Sequence, residues 1–327
     1  MPTLGASPNT KSGKLVWRMI VSTIMVILAW YIYRNRFALN YLKNVGWQEI
    51  SLILLLDTFS LLITGALNYM IIRQFGFAVG LLDCILLQYV NTSLNRILPT
   101  VGTGATFRAI YLKKRYGFSH SRFISTVAGL YVISFLAASL IGILCLAAIY
   151  CQTHALSWVA LISFLALFIV CLGIASICPE IPERNSRILK VLRSVVEGWI
   201  VIRANHRLIL ISVVLTAGLL LLSTLSNLIA YRALGFRTHF LSMLYLSSLG
   251  IIITLINFTP DGIGIREGIY VLSSKLIQLP SEVLVLGSLV IRGITMVATI
   301  GGGIVAYYLL VQRLRSTTHS LDGGETK

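Results

Sequence analysis

The sequence predicts an all-α, polytopic membrane protein built from two related halves. Three observations carry that prediction. Hydrophobic residues make up 57% of the 327-residue chain and charged residues 12%, against roughly 25% charged in a soluble domain. The mean hydropathy is +0.86. A block of residues also recurs: Asn68, Arg73, Gly76 and Phe77 reappear with identical spacing as Asn227, Arg232, Gly235 and Phe236. An internal repeat around interrupted apolar segments is the sequence mark of several transporter folds.

The apolar segments run over 15–33, 49–72, 77–98, 121–150, 155–178, 208–230, 239–258 and 281–311. A bilayer-spanning helix needs about 20 such residues. The first segment is too long for a cleavable signal peptide, and it ends in Tyr31-Ile32-Tyr33-Arg34 without a small-residue cleavage site. It reads as a retained helix. Residues 1–14 and 312–327 read as polar cytoplasmic tails. The membrane domain covers 15–311, with one repeat over about 15–150 and the second over about 155–311.

The net charge of +16 does not indicate nucleic acid, because the basic residues sit in short loops between apolar runs. That distribution fits the positive-inside rule and contact with anionic headgroups. The loop 151–156 carries no Lys or Arg and is placed outside; the stretch 179–207 carries six and is placed inside. Lys113-Lys114-Arg115, Arg313 and Arg315, and Lys11, Lys14 and Arg18 are also placed inside. Arg34, Arg36 and Lys43 fall outside in this scheme, against the rule. These placements close only if 77–115 and 239–280 enter and leave on one face. Each half then reads helix, elbow, helix, re-entrant hairpin, helix, giving six full crossings and two hairpins. Three crossings per half invert one half relative to the other. Eight full crossings is the alternative. The elbow 183–203 places Ile188, Leu192, Val195, Trp199 and Ile202 on one helical face, as in a helix lying on the inner membrane surface.

The hairpin turns are where chemistry is expected. The first reads Pro99-Thr100-Val101-Gly102-Thr103-Gly104, followed by Arg108 and Tyr111. The second reads Pro260-Asp261-Gly262-Ile263-Gly264, followed by Arg266, Glu267 and Tyr270. Proline breaks the helix and glycine permits tight backbone. Broken backbone at membrane depth must be buried in protein or line a wet cavity. The short helices that restart after each break offer N-termini suited to an anion, beside Arg108 and Arg266. A phosphate group is the expected guest, with Arg96 as a further candidate. Asp261 and Glu267 cluster with Arg266, and Arg292 lies mid-helix, where an ionised group is expensive and usually functional. Pairing of Arg292 with Glu267 or with Asp261 serves either architecture or a gate. Asp57 and Asp83 are also intramembrane; proton coupling and pairing with an arginine such as Arg73 or Arg96 are both open. Asn68 and Asn227 read as helix ties, and Gly301-Gly302-Gly303 as a close-packing face.

Other chemistries lack their signals. The five cysteines are scattered without a CxxC pair, and the five histidines show no ligand spacing, so neither a metal nor a cofactor is expected. No GxxxxGK[ST] run is present, and the paired glycines lack the third glycine of a dinucleotide site. No nucleophile–base pair is visible, and an enzyme is not expected.

Asn95-Arg96-x-Leu98-Pro99 with Gly102-x-Gly104 and Arg108-Ala109-x-Tyr111, together with Pro260-x-Gly262-x-Gly264-x-Arg266-Glu267-Gly268-x-Tyr270, resembles the transmembrane region of lysylphosphatidylglycerol synthases, the flippase-like domain family. The resemblance covers roughly 15–311. It implies a domain that moves lipids across a bacterial or archaeal cytoplasmic membrane, the lipid being an aminoacylated phosphatidylglycerol or a polyprenyl-phosphate-linked sugar. The chain ends at Lys327, so aminoacyl transfer is not expected of it. The expectation is a lipid flippase working by alternating access. The alternative is a non-transporting subunit that holds lipid for a glycosyltransferase or other envelope enzyme.

Overall fold

The computed structural model describes residues 36–97, 102–177, 199–256 and 259–322, with isolated positions between 22 and 33 and between 189 and 196. Among these the chain is helical, with no strand. The segment 15–33 apart from those positions, the break 98–101 with Pro99, the tail 1–14 and most of the elbow lie outside the described residues.

Among the described residues five helices are long and apolar enough to cross a membrane: α1 (Trp47–Gln74), α4 (His120–Thr153), α5 (Trp158–Ile177), α6 (His206–Ala233) and α10 (Ser281–Asp322). Their apolar cores match the expected segments 49–72, 121–150, 155–178, 208–230 and 281–311. The helix of α10 runs to Asp322, beyond the point where a polar tail is expected; no Gly or Pro interrupts 304–322 to stop it.

Between these lie shorter helices: α2 (Leu81–Ile97), α3 (Thr103–Tyr116), α7 (Phe240–Ile253), α8 (Ile265–Leu272) and α9 (Ser274–Ile277). At 1.5 Å per residue the longest of them reaches about 25 Å, short of the roughly 30 Å hydrocarbon core. The second expected break, Pro260 to Gly264, falls between α7 and α8; the first, at 98–101, lies outside the described residues between α2 and α3. α3 begins against α2: a Cβ on Gly104 would lie 2.2 Å from the Asn91 carbonyl oxygen.

The packing exchanges the halves. α2 packs along α10, the last helix of the second half, and α7 packs along α4, the last helix of the first half; α1 and α6 pack on each other. One apolar cluster joins Leu87, Val90 and Leu112 to Ala306 and Leu310. Another joins Tyr245, Leu246 and Tyr270 to Leu146, Ile149 and Phe164. Lipid tails are as apolar as leucine, so close packing and buried hydrogen bonds must hold such helices together. Gly303 shows the first: a Cβ there would lie 1.9 Å from the Ser93 hydroxyl on α2. Gly302 faces Tyr89 on the same helix, whereas Gly301 faces open space.

The repeated asparagines show the second. Asn68 ties α1 to Gln88 on α2 at 3.5 Å, and Asn227 ties α6 to Ser247 on α7 at 3.0 Å. Each bond spans 20 residues, so the tie recurs at equivalent positions. In the elbow, Trp199 and Ile202 are buried against Ile71, Val132 and Ile133, and the Trp199 indole donates to the Ala175 carbonyl at 3.0 Å. This part of its apolar face is used on the helical bundle and not on lipid.

Candidate functional site

A cavity of about 430 Å³ opens where α1, α2, α4, α6, α7 and α10 meet the turn of the second hairpin. Its charged lining comprises Asp57, Arg96, Asp261, Arg266 and Arg292. Three guanidinium groups against two carboxylates leave a formal charge of +1.

The charges form an alternating ladder across the two halves. Asp57 on α1 lies 3.7 Å from Arg96 Nη2, and Arg96 Nε lies 3.9 Å from Asp261. Asp261 lies 3.3 Å from Arg292 Nε, and Arg292 Nη2 lies 3.3 Å from Glu267. Both expected partners of Arg292 are therefore engaged, and Asp57 takes Arg96 instead of Arg73. Arg96 also reaches across to α10, donating to the Thr295 carbonyl at 2.7 Å and to the Thr299 hydroxyl. Thr299 in turn donates to Asp57 at 3.3 Å.

These ion pairs are loose. None of the Arg292 nitrogens makes a hydrogen bond among the described residues, although two lie within ion-pair distance of a carboxylate. The pairs are close enough for Coulomb attraction but poorly aligned for hydrogen bonding. Asp261 accepts no hydrogen bond among the described residues and holds a left-handed backbone (φ 51°) that few non-glycine residues adopt. Arg266 forms neither ion pair nor hydrogen bond among the described residues, and its Nε is buried without a partner. A half-buried guanidinium that faces a cavity with no ion pair or hydrogen bond among the described residues is able to accept an anion there.

Glu267 behaves differently from its neighbours. It is 2% exposed and fully engaged: it accepts from the Gly264 N–H at 2.7 Å and from Ser288 at 2.8 Å, besides facing Arg292. The helix start that sequence reasoning offers to a phosphate is thus already served by this carboxylate, the N3 half of a capping box. At the first turn the Gly104 N–H donates to Asn95 Oδ1 at 3.0 Å. Gly102, Gly262 and Gly264 all take positive φ, which shapes the turns. The glycines contribute geometry to both turns.

Two expected site residues sit elsewhere. Arg108 is buried at 6% exposure, donates to Asn68 Oδ1 and lies 5.1 Å over the Phe123 ring. It does not reach the cavity. Counting back from the repeated tyrosines Tyr111 and Tyr270, Arg108 shares its register with Glu267 and not with Arg266. Asp83 is 1% exposed and takes neither Arg73 nor Arg96. It holds Arg115 at 3.3 Å and Arg313 at 2.6 Å, and accepts from Tyr111 and Tyr116. This cluster clamps the first hairpin to the end of α10. Sequence reasoning missed the hydroxyl lining of the cavity, including Thr216 and Ser223 on α6. Their separation of seven residues, with Asn227 four further on, is a polar stripe on an otherwise apolar helix.

The family described as the lysylphosphatidylglycerol synthase TM region matches residues 15–303. The chain belongs to that family. No curated protein and no solved structure matches it. The match encloses both hairpins, the charge ladder and every residue of the cavity. A membrane-embedded member of the lysylphosphatidylglycerol synthase TM region family thus carries, between its halves, an arginine-rich chamber whose charges are only partly neutralised.

Proposed function

We propose that the protein is a flippase that carries a phosphate-bearing lipid, a phospholipid or a polyprenyl-phosphate-linked sugar, across the cytoplasmic membrane by alternating access. The observation that carries this reading is Arg266, a half-buried arginine with an enclosed Nε and with neither ion pair nor hydrogen bond among the described residues, facing a chamber between the two halves of a membrane bundle. A volume of about 430 Å³ suits a headgroup and leaves the tails in the bilayer. In this reading Arg266 receives the phosphate, Arg96 and Arg292 share it, and Asp261 yields its place beside them. Arg108 and Asp83 act in packing. No covalent step is required, and the lipid's own gradient or a coupled ion supplies the drive.

The exchanged packing of the halves and the short broken helices support two hairpins that enter from opposite faces, with both termini cytoplasmic. The basic inner rim would contact anionic lipids, and an envelope enzyme that makes or uses the lipid is the expected partner. Thr103→Cys and Ile263→Cys in a cysteine-free background test the inversion: an impermeant thiol reagent should label them from opposite sides. Labelling of both from one side refutes it.

Transport is tested in proteoliposomes holding fluorescent phosphatidylglycerol, with an impermeant quencher reading the inner leaflet. The wild type should expose more than the outer half to quenching, and Arg266→Gln should abolish the excess while the protein still folds. Undiminished exchange in Arg266→Gln removes the site assignment. Lipid binding without exchange by the wild type would favour the lipid-holding subunit instead.

A further inference from the structure

Eleven of the twenty-two residues lining the cavity carry a hydroxyl. Hydroxyls on membrane helices usually bond back to a carbonyl three or four residues earlier, and four here do: Ser60 to Leu56 at 3.0 Å, Ser247 to Met243 at 3.0 Å, Thr254 to Ile251 at 2.6 Å and Thr295 to Arg292 at 3.4 Å. Tyr270 and Ser288 bond across to Leu246 and Glu267. Five have no such partner. Tyr131 and Ser134 on α4, and Thr216, Ser223 and Ser226 on α6, make no hydrogen bond among the described residues. The spacing puts each set on one face: three residues apart on α4, seven and ten apart on α6. Thr216 is 2% exposed, and its hydroxyl is buried without a partner. Tyr131 and Ser223 are exposed, which places them where the chamber opens.

The chamber therefore has two unlike walls. One is cationic and short of an anion at Arg266. The other presents free hydroxyls, each able to donate once and accept twice. Its two lining carboxylates already face guanidinium groups, Asp57 at Arg96 and Asp261 at Arg292. An ammonium group would meet no free acid and a surplus positive charge.

We infer that the ligand is a phosphate ester of an uncharged polyol, such as a sugar or inositol, with its phosphate at Arg266 and its hydroxyls against Thr216, Ser226 and Ser134, and that a cationic aminoacyl headgroup is excluded. This rests on the phosphate reading above and names the chemistry attached to the phosphate. Vicinal hydroxyls of a polyol match a wall of paired donors and acceptors, and specificity follows because a ligand lacking them leaves those groups unpaired.

The test compares three lipids of equal acyl composition, titrated onto the purified protein in neutral detergent. Phosphatidylinositol has one negative charge and a polyol, phosphatidylmethanol has the same charge and no polyol, and the lysyl ester of phosphatidylglycerol carries a net positive charge. Phosphatidylinositol should bind about tenfold more tightly than phosphatidylmethanol, the worth of one to two net hydrogen bonds, and the lysyl ester most weakly. Thr216→Val combined with Ser226→Ala should erase the advantage of phosphatidylinositol and leave phosphatidylmethanol unchanged. Neither change removes a hydrogen bond within the protein, so thermal unfolding should be unaltered.

Arg266→Gln should weaken both anionic lipids alike. Equal wild-type affinity for the two anionic lipids overturns the polyol inference and leaves the phosphate reading standing; absence of binding to either overturns both. Tightest binding of the lysyl ester likewise overturns the inference. Soluble inositol 1-phosphate, added as competitor, separates the sources. Displacement at concentrations similar to the lipid indicates a free polyol phosphate, and displacement only by lipid indicates a headgroup.

Discussion

Asp261 stands between Arg96 and Arg292, where an incoming phosphate would sit, so replacing it makes an unusual prediction: removal of a cavity carboxylate should strengthen anion binding. Asn is the suitable substitute, because it tolerates the left-handed backbone at this turn (φ 51°). In Asp261→Asn the formal charge of the lining rises from +1 to +2. At an effective dielectric of about 20, attractions at 3.3 and 3.9 Å amount to roughly 5 and 4 kcal/mol before desolvation. The Asp261 side chain is 27% exposed, and desolvation and solvent screening offset most of that sum. The quantity that reaches affinity is the repulsion between Asp261 and a phosphate seated on Arg292. At about 6 Å this is roughly 3 kcal/mol at the same dielectric, and halving it for solvent access leaves about 1.5 kcal/mol, or about tenfold in Kd.

The assay is titration of dioleoylphosphatidylglycerol onto the purified variant in neutral detergent, at low salt and at about 1 M salt. Binding should tighten by about tenfold at low salt, with the gain shrinking as the Debye length falls to about 3 Å. Unchanged or weaker binding at low salt would refute the assignment of Asp261 to the anion seat. The reasoning would equally fail if the gain persisted undiminished at high salt, because a Coulomb term must screen.

Asp83→Asn should destabilise the fold by about 3–5 kcal/mol, because Arg115 and Arg313 lose the 1%-exposed carboxylate they share; the thermal midpoint in detergent reads this, and headgroup preference should not change. Asn68→Leu should cost about 3 kcal/mol by leaving the buried Arg108 without its acceptor, whereas Asn227→Leu should cost about 1 kcal/mol for one bond to Ser247. Equal losses in denaturant unfolding would show that the two ties carry equal loads. Gly303→Ala should sharply reduce folded yield, since its Cβ would lie 1.9 Å from the Ser93 hydroxyl, while Gly301→Ala, with open space around it, should be neutral by size-exclusion profile.

Much of the fold is legible in the chain because its signals are local. A span of about 20 apolar residues is read from a window of the sequence, and five of the expected spans are long apolar helices. The breaks near Gly104 and Gly264 are legible for the same reason, since proline and glycine act on their own dihedrals. The repeat also carries information, because Asn68 and Asn227 make equivalent ties to positions 20 residues on.

The fate of each charge is a different kind of question. Sequence places Arg108 and Arg266 alike, each just after a Pro/Gly turn. Only tertiary packing gives Arg108 the acceptor on Asn68, 40 residues away, and leaves Arg266 with none among the described residues. Asp83 finds Arg313 across 230 residues, and Arg96 finds Thr295 across 199. Glu267 takes the helix start that spacing alone offers to a phosphate. How far a guanidinium is neutralised depends on its distance to the nearest carboxylate or carbonyl. That distance is set by how the halves exchange helices, which local hydropathy does not encode. The sequence by itself determined a two-part helical membrane protein interrupted at two turns. The tertiary structure decided which arginines meet a carboxylate or carbonyl among the described residues, because neutralising a charge depends on its neighbours in space.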